Sequence, residues 1–178
     1  MRTAFTQKMT LSALICALLC VLAQIVIPLP PVPISLALLA VFIAGAQLGP
    51  SWGTAAVCCY ILLGAAGVPV FAGFGGGLSV LLGPTGGFLW GYIGCAWLVG
   101  KLSARFGFSR RSLILSMSAG TALCYLTGLL WFMLVTGTEF AGSLTVCVLP
   151  FLPGDILKVL FAAALVRRMQ KPLRVMGL

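Results

Sequence analysis

Two charged side chains stand three positions apart near the start of a long apolar stretch. Asp155 and Lys158 lie in LPGDILKVLFAAALV, residues 152 to 166. On a helix this spacing places both side chains on one face, with Cβ atoms about 5 to 6 Å apart. A charge inside a membrane span costs about 2.5 to 3.5 kcal/mol and usually faces a cavity or a partner. We therefore expect the pair to bind a ligand. The alternatives are a self-neutralising ion pair and a lysine whose amine reaches out to the membrane surface.

A glycine-rich stretch, GLSVLLGPTGGFLWGY at residues 77 to 92, is the second candidate for chemistry. Thr85, Gly86 and Gly87 stand where an apolar segment begins, and the free N–H groups of a helix start favour a carboxylate or carbonyl oxygen. A nucleotide-binding loop is excluded, because GFGGGL lacks the last glycine of GxGxxG and GPTGGF lacks the GK[ST] ending. By itself, the glycine cluster fits a turn as well as a binding site.

The composition determines which fold must position these residues. Of 178 residues, 61% are hydrophobic and 7% are charged, whereas about a quarter are charged in ordinary soluble domains. We predict an all-α integral membrane protein, with residues 1–178 forming one membrane-embedded domain. Its six apolar segments are residues 8–27, 35–48, 52–67, 85–101, 112–136 and 152–167. The second and third are shorter than the roughly 20 residues that a span needs, so one re-entrant hairpin is the alternative there.

The basic residues predict the orientation in the membrane. Ten of the eleven lie in three places: Arg2 and Lys8; Lys101, Arg105, Arg110 and Arg111; and Arg167, Arg168, Lys171 and Arg174. With six spans, these places share one side, which the positive-inside rule makes cytoplasmic together with both termini. The loops at 28–34, 68–84 and 137–151 are then outside. The net charge of +9 is read as a topology signal and not as a nucleic-acid footprint.

The cysteines suggest helix packing and not metal binding, and the first apolar segment suggests a retained helix and not a cleaved signal peptide. The seven cysteines form no CxxC pattern, and six lie in apolar segments, where small thiols pack well. We expect no metal and no cofactor. The first apolar segment is long for a signal peptide and lacks a small-residue cleavage site, so we expect it to remain as the first helix.

An intramembrane enzyme is the rival class of function. The chain has no histidine and only two acids, so Ser-His and Cys-His pairs and two-metal sites are excluded. A serine–lysine dyad of Lys158 with Ser35 or Ser79 stays formally open as an alternative. We predict that the protein is not an enzyme.

Four runs of sequence, in order along most of the chain, carry a family resemblance. They are LPPVPISLALLAVFIAGAQLGP, LLGAAGVPVFAG, GGLSVLLGPTGGFLWGY and PGDILK. Together they closely resemble the BioY family, the biotin-binding S components of energy-coupling-factor (ECF) transporters. The resemblance implies a six-helix protein of the bacterial cytoplasmic membrane that captures biotin from outside in a pocket closed by its outer loops. It also implies three partner chains, a transmembrane coupling protein and two ATPase subunits. An S component for another small vitamin is the alternative.

The resemblance also implies roles for individual residues. The family's acid and lysine in the last helix match Asp155 and Lys158, and its GPTGG loop matches residues 83–87. Family members use small residues of the first helix to dock on the coupling protein, and Ala13 and Ala17 in ALICA match that AxxxA pattern. No arginine occurs in the glycine-rich loop or early in the fourth segment. Any relative's contact from such an arginine to the biotin carboxylate must be replaced here.

The chemistry of biotin fits these residues. Its ureido ring has two N–H donors and one carbonyl acceptor, so Asp155 can accept and Lys158 can donate. The carboxylate at the other end needs donors, for which Thr85 and the N–H groups of Gly86 and Gly87 are candidates. The apolar parts need aromatic or aliphatic walls. Candidates for those walls are Phe71, Phe74 and Trp90.

Overall fold

The computed structural model describes residues 2–27 and 32–175, with side chains for 5–27 and 32–170. The described part is mostly helical, and a two-stranded antiparallel ribbon is its only sheet. Its seven helices are α1 (Arg2–Leu22), α2 (Ala37–Ala65), α3 (Leu78–Leu82), α4 (Gly86–Phe106), α5 (Arg110–Thr136), α6 (Phe140–Cys147) and α7 (Leu152–Val175). Most of the predicted outer loop 28–34, and the side chains of Arg2, Lys171 and Arg174, lie outside the described residues.

The ribbon joins α1 to α2 and departs from the all-α prediction. Strands β1 (Val26–Ile27) and β2 (Ile34–Ser35) pair in antiparallel register, Val26 opposite Ser35. Because β1 takes up residues 26 and 27, α1 ends at Leu22, although the sequence predicted a helix through residue 27. The ribbon places Ser35 at the end of the bundle where the binding residues lie.

Helix α2 is a hairpin of two arms, residues 37–48 and 50–65. Gly49 breaks it with φ 76° and ψ −177°, a backbone conformation that side-chain-bearing residues avoid, and Pro50 follows. A Cβ on Gly53 would lie 2.5 Å from the Ala44 carbonyl oxygen. Nine residues of straight helix would separate these positions by about 13 Å, so the chain reverses direction at Gly49. The arms correspond to the second and third predicted segments.

Close packing through small residues holds α4 between α2 and α5. A Cβ on Gly45 would run into the Ala96 backbone, and one on Gly100 would lie 2.6 Å from the Pro50 nitrogen. On the α5 side, a Cβ on Gly91 would collide with the Thr127 hydroxyl. Small residues at helix contacts let backbones approach closely, which is the usual way that helices associate in lipid.

Helix α7 completes the bundle and is anchored at the end where α2 reverses. The Gln47 amide nitrogen donates to the Val166 carbonyl at 3.1 Å, and the Gln170 amide donates to the Gln47 side-chain oxygen at 2.8 Å. At the same end, the rings of Phe5 and Trp52 meet edge to face, 5.3 Å apart. The start of α1, the middle of α2 and the C-terminal part of α7 therefore meet around the Gly49 turn.

Within the described residues, three helices are long and apolar enough to cross a membrane by length and composition. They are Phe5–Leu22, Arg110–Thr136 and the stretch Ala37–Ala65, which is counted here along its whole length although Gly49 divides it into two arms. The bent pair Phe140–Cys147 and Leu152–Gln170, with an angle of 51° between its helices, makes a fourth if counted as one span. These helices show a multi-pass membrane protein.

Candidate functional site

A cavity of about 260 Å³ lies at the end of the bundle opposite the Gly49 turn. Helices α2, α4, α5 and α7, the β2 strand and the segment between α2 and α4 all contribute to its walls. Its lining residues are Val32, Pro33, Ser35, Leu38, Phe71, Ala72, Val80, Thr85, Phe88, Leu89, Tyr92, Cys124, Tyr125, Phe151, Asp155 and Lys158. The walls are mostly apolar, and their polar groups come from five different elements.

Asp155 and Lys158 form a buried ion pair in the wall of this cavity. The Lys158 amine donates to Asp155 Oδ1 at 2.6 Å, and the residues are 4% and 7% exposed. Tyr125 from α5 donates its hydroxyl to Asp155 Oδ2 at 2.5 Å. Both carboxylate oxygens are therefore held, and the three side chains form one connected polar cluster beside apolar walls.

Aromatic rings make up much of the apolar wall. Phe88 on α4 and Phe151, just before α7, stack with ring centroids 6.0 Å apart and an interplanar angle of 18°. Phe71, 1% exposed, comes from the segment after α2 and meets the Tyr60 ring edge to face. A flat apolar ligand would contact rings on several sides.

Only one of the three aromatic residues proposed from the sequence lines this cavity. Phe71 does, but Phe74 is 72% exposed and Trp90 is 42% exposed. Trp90 points to the outer surface of α4, where it shares a shallow depression with Trp131. Helical periodicity explains why Trp90 does not line the cavity, because it lies on the face of α4 opposite Phe88 and Tyr92.

The GPTGG loop reaches the cavity through Thr85, while its glycines serve packing. The Gly86 N–H donates to the Gly83 carbonyl at 3.0 Å, so that donor is already engaged. A Cβ on Gly86 would collide with the Leu81 carbonyl, and one on Gly87 would collide with the Trp131 side chain. Of the three residues, Thr85 lines the cavity.

Trp131 fixes this loop from α5. Its indole N–H donates to the Gly83 carbonyl oxygen at 3.0 Å. The same carbonyl thus accepts from both the indole and the Gly86 N–H. These two hydrogen bonds anchor the loop that carries Thr85 to the cavity wall.

Several lining residues were missed by reasoning from the sequence. Tyr92 and Phe88 lie seven and three positions after Thr85, on the same helical face, so the i, i+3, i+7 pattern could have identified them. No local signal identifies Tyr125, which meets Asp155 across 30 positions of sequence. A phenol within a predicted apolar span is the only hint.

The serine–lysine dyad is not assembled. Ser79 is exposed and does not line the cavity. Ser35 does line it, but its hydroxyl accepts from the Ala37 N–H at 3.3 Å. The Lys158 amine donates to the Asp155 carboxylate at 2.6 Å, and within the described residues no hydrogen bond joins it to either serine.

Ala13 and Ala17 lie on the outer face of α1 and do not line this cavity. Both are exposed, whereas Ile15, Cys16 and Leu19 face the bundle. The two alanines therefore present a small-residue stripe to the surroundings.

A second, larger cavity of about 450 Å³ lies at the other end of the bundle, around the Gly49 turn. Lys8 is the charged residue among those that line it. None of the residues predicted to bind substrate borders it. The acid–lysine pair therefore selects the smaller cavity as the candidate site.

Comparison with known proteins identifies the family. The BioY family model matches residues 1–175. The chain is 39% identical to the biotin transporter BioY of Thermotoga maritima over 87% of this chain and 90% of that protein. It is 37% identical to the probable biotin transporter BioY of Pyrococcus horikoshii over 92% and 96% of the two chains. A crystal structure of the S-component for biotin from an ECF-type ABC transporter superposes with a TM-score of 0.88, at 30% identity, over 96% of this chain and 94% of that one. The family model and these relatives show that the chain belongs to the BioY family.

Proposed function

We propose that this protein captures biotin and serves as the substrate-specific S component of an ECF-type transporter. The observation that carries the proposal is the Asp155–Lys158 pair, buried in the wall of a cavity of about 260 Å³. The relatives are named biotin transporters and the structural neighbour is a biotin S-component. These names agree with the expectation that the chain is a transporter and not an enzyme.

The polar cluster suits the ureido ring of biotin. Asp155 accepts from the ring N–H groups and Lys158 donates to the ring carbonyl, because an ionised carboxylate only accepts and an ammonium only donates. Bonds to charged groups are roughly twice as strong as bonds between neutral groups. The ring system and valeryl chain then lie against Phe71, Phe88 and Phe151.

The size of the cavity favours a small vitamin. Ligand cavities commonly measure about 300 to 1,000 Å³, so a volume of about 260 Å³ lies just below that range. The carboxylate of biotin meets no arginine there, since Asp155 and Lys158 are the charged residues among those that line the cavity. We assign its recognition to Thr85, with Gly86 and Gly87 acting by fixing the loop. Ser35 and Tyr92 supply further hydroxyl groups in the same wall.

The proposed topology has six spans in the bacterial cytoplasmic membrane, with both termini in the cytoplasm. The two arms of α2 supply the second and third spans and meet at Gly49. Its turn lies beside Gly100, and Lys101 and Arg105 follow immediately on α4. The basic clusters thus share the end of the bundle that carries the turn, as the positive-inside rule requires for a cytoplasmic side.

The proposed partners are a transmembrane coupling protein and two ATPase subunits. The exposed stripe of Ala13 and Ala17 on α1 suits close approach by another helix in lipid. It lies apart from the biotin cavity, so docking and capture use separate surfaces.

The experiment is a double-mutant cycle on biotin affinity in detergent-purified, folded protein, using Asp155→Asn and Lys158→Met. Losing one charge-assisted bond costs about 1.5 to 3 kcal/mol. Asp155→Asn should weaken biotin and desthiobiotin alike, since both keep the ureido N–H groups. Matched controls are Glu139→Gln, the same change at an exposed acid, and Lys101→Met.

Two results would contradict the proposal. If Asp155→Asn and Lys158→Met both bind biotin with wild-type affinity, the pair has only a structural role and biotin binds elsewhere. Saturable binding of another vitamin in preference to biotin would leave the S-component assignment but change the substrate.

A further inference from the structure

Two hydrogen-bond donors hold the Asp155 carboxylate, one from its own helix and one from a neighbouring helix. The Lys158 amine, 2.6 Å from Oδ1, lies on the same helix as the carboxylate. The Tyr125 hydroxyl, 2.5 Å from Oδ2, reaches across from α5. The bond from Lys158 therefore moves with α7, whereas the bond from Tyr125 fixes the carboxylate relative to α5.

Asp155 and Tyr125 also stand between two hollows. Both line the candidate biotin cavity, and both line a separate hollow of about 280 Å³ between α5 and α7. Lys158 lines the first but not the second. Asp155 thus borders a hollow on either side, and rotation of its carboxylate toward the α5–α7 hollow would remove that group from a ligand in the cavity.

The number of acceptor positions on the carboxylate leaves room for the ligand. An ionised carboxylate offers about four lone-pair positions. The Lys158 amine and the Tyr125 hydroxyl occupy one each, on opposite oxygens. The remaining positions match the two N–H donors of a ureido ring, provided that the carboxylate stays at the cavity wall.

We propose that Tyr125 is a positioning residue for biotin capture, holding the Asp155 carboxylate at the cavity wall and away from the α5–α7 hollow. The inference rests on the proposed contact between Asp155 and the ureido ring. Tyr125 acts through Asp155, so its contribution should disappear when the carboxylate is removed.

The test is a second double-mutant cycle, on Tyr125→Phe and Asp155→Asn, with biotin affinity measured in purified protein. Tyr125→Phe keeps the ring between the two hollows and removes only the hydroxyl. We expect about ten-fold weaker binding, the low end for a lost hydrogen bond to a charged group. In the Asp155→Asn background, we expect the same substitution to change affinity by less than about two-fold.

Tyr60→Phe is the matched control, because it also removes a buried phenol hydroxyl. That hydroxyl donates to the Val70 carbonyl at 3.2 Å and does not contact Asp155. Its effect should be the same with either residue at position 155. Size-exclusion profiles and thermal unfolding show that each variant is folded before its affinity is compared.

The outcomes separate this inference from the proposed function. If Asp155→Asn weakens biotin but Tyr125→Phe does not, the site stands and the positioning role is wrong. If Tyr125→Phe weakens binding equally in both backgrounds, its effect is on packing and the positioning role is again wrong. If Asp155→Asn itself binds biotin normally, the proposed contact fails and the role of Tyr125 fails with it.

Discussion

Gln24, just after α1, accepts a hydrogen bond from the backbone N–H of Phe74, 2.8 Å from its side-chain oxygen and 50 positions along the chain. Its amide nitrogen is 3.4 Å from the Pro69 carbonyl oxygen. One side chain thus ties the segment between α2 and α3 to the first helix. This segment also supplies Phe71 to the cavity, so Gln24 holds part of the cavity wall in place.

Gln24→Leu should therefore release biotin faster. At about 1 kcal/mol for each hydrogen bond, losing both costs about 2 kcal/mol, so we expect the dissociation rate to rise about thirty-fold. Stopped-flow or radiolabel-chase measurements on purified protein would show it. Gln7→Leu, at an exposed site near the other end of α1, is the control. Unchanged release from Gln24→Leu would mean that the segment is held by its own backbone bonds.

Phe71 and Phe74 should differ sharply although only three positions separate them. Phe71 is 1% exposed and Phe74 is 72% exposed. Phe71→Leu should weaken biotin about ten-fold through lost aromatic contact area, a loss of about 1.4 kcal/mol, within the usual value of a buried aromatic contact. Phe74→Ala should change affinity by less than about two-fold. Equilibrium binding compares the two variants, and an equal loss in both would show that Phe74 moves into the cavity when ligand binds.

Thr85→Val should distinguish the two ends of biotin. Valine keeps the shape of the side chain but lacks the hydroxyl of Thr85, a residue that lines the cavity. We expect biotin to bind about ten-fold more weakly, from a lost bond to a charged group, while biotin methyl ester changes little. Competition binding with both ligands gives the comparison, with Thr145→Val on α6 as control. An equal effect on acid and ester would move carboxylate recognition elsewhere, with Ser35 or Tyr92 next in line.

Ala13→Leu and Ala17→Leu should uncouple transport from capture. A bulky side chain on this exposed stripe blocks close helix approach without reaching the cavity. Biotin uptake by cells should fall severalfold, while the isolated protein binds biotin normally. Ala55→Leu, at an exposed alanine of α2, is the control. Loss of binding in equal measure would place both alanines in internal packing.

The topology has its own test, in a cysteine-free variant carrying one new cysteine at a time. Gly142→Cys should react with a membrane-impermeant thiol reagent added outside, and Ser109→Cys should not. Both positions are exposed and lie at opposite ends of α5. Labelling of both from one side would contradict six spans with cytoplasmic termini.

The sequence was most informative where a residue type is costly in its surroundings. An acid and a lysine in an apolar stretch are expensive enough to predict a cavity, and the structure places Asp155 and Lys158 in one. Helix-breaking residues were similarly informative, since Gly49 and Pro50 separate the two arms of α2 between the predicted second and third segments. These inferences depend on local chemistry alone.

Long-range contacts were beyond such reasoning. Tyr125 meets Asp155 only because α5 and α7 pack side by side, and nothing near residue 125 encodes that contact. Trp90 was predicted from its residue type alone. The position of a residue around the helix axis decides which side chains of α4 line the cavity, and these include Phe88 and Tyr92. The β1–β2 ribbon was missed because two-residue strands have too little pattern to recognise.

The pairing of Asp155 with Lys158 also has a consequence for the work of transport. Their opposite charges cancel, so an anionic vitamin bound there brings a net negative charge into the protein. Moving that charge inward against an inside-negative membrane potential costs about 2.3 kcal/mol for every 100 mV. In the proposed orientation, with the cavity at the outer face, inward movement of anionic biotin is therefore electrically uphill. That electrical cost gives inward transport a physical need for a source of energy.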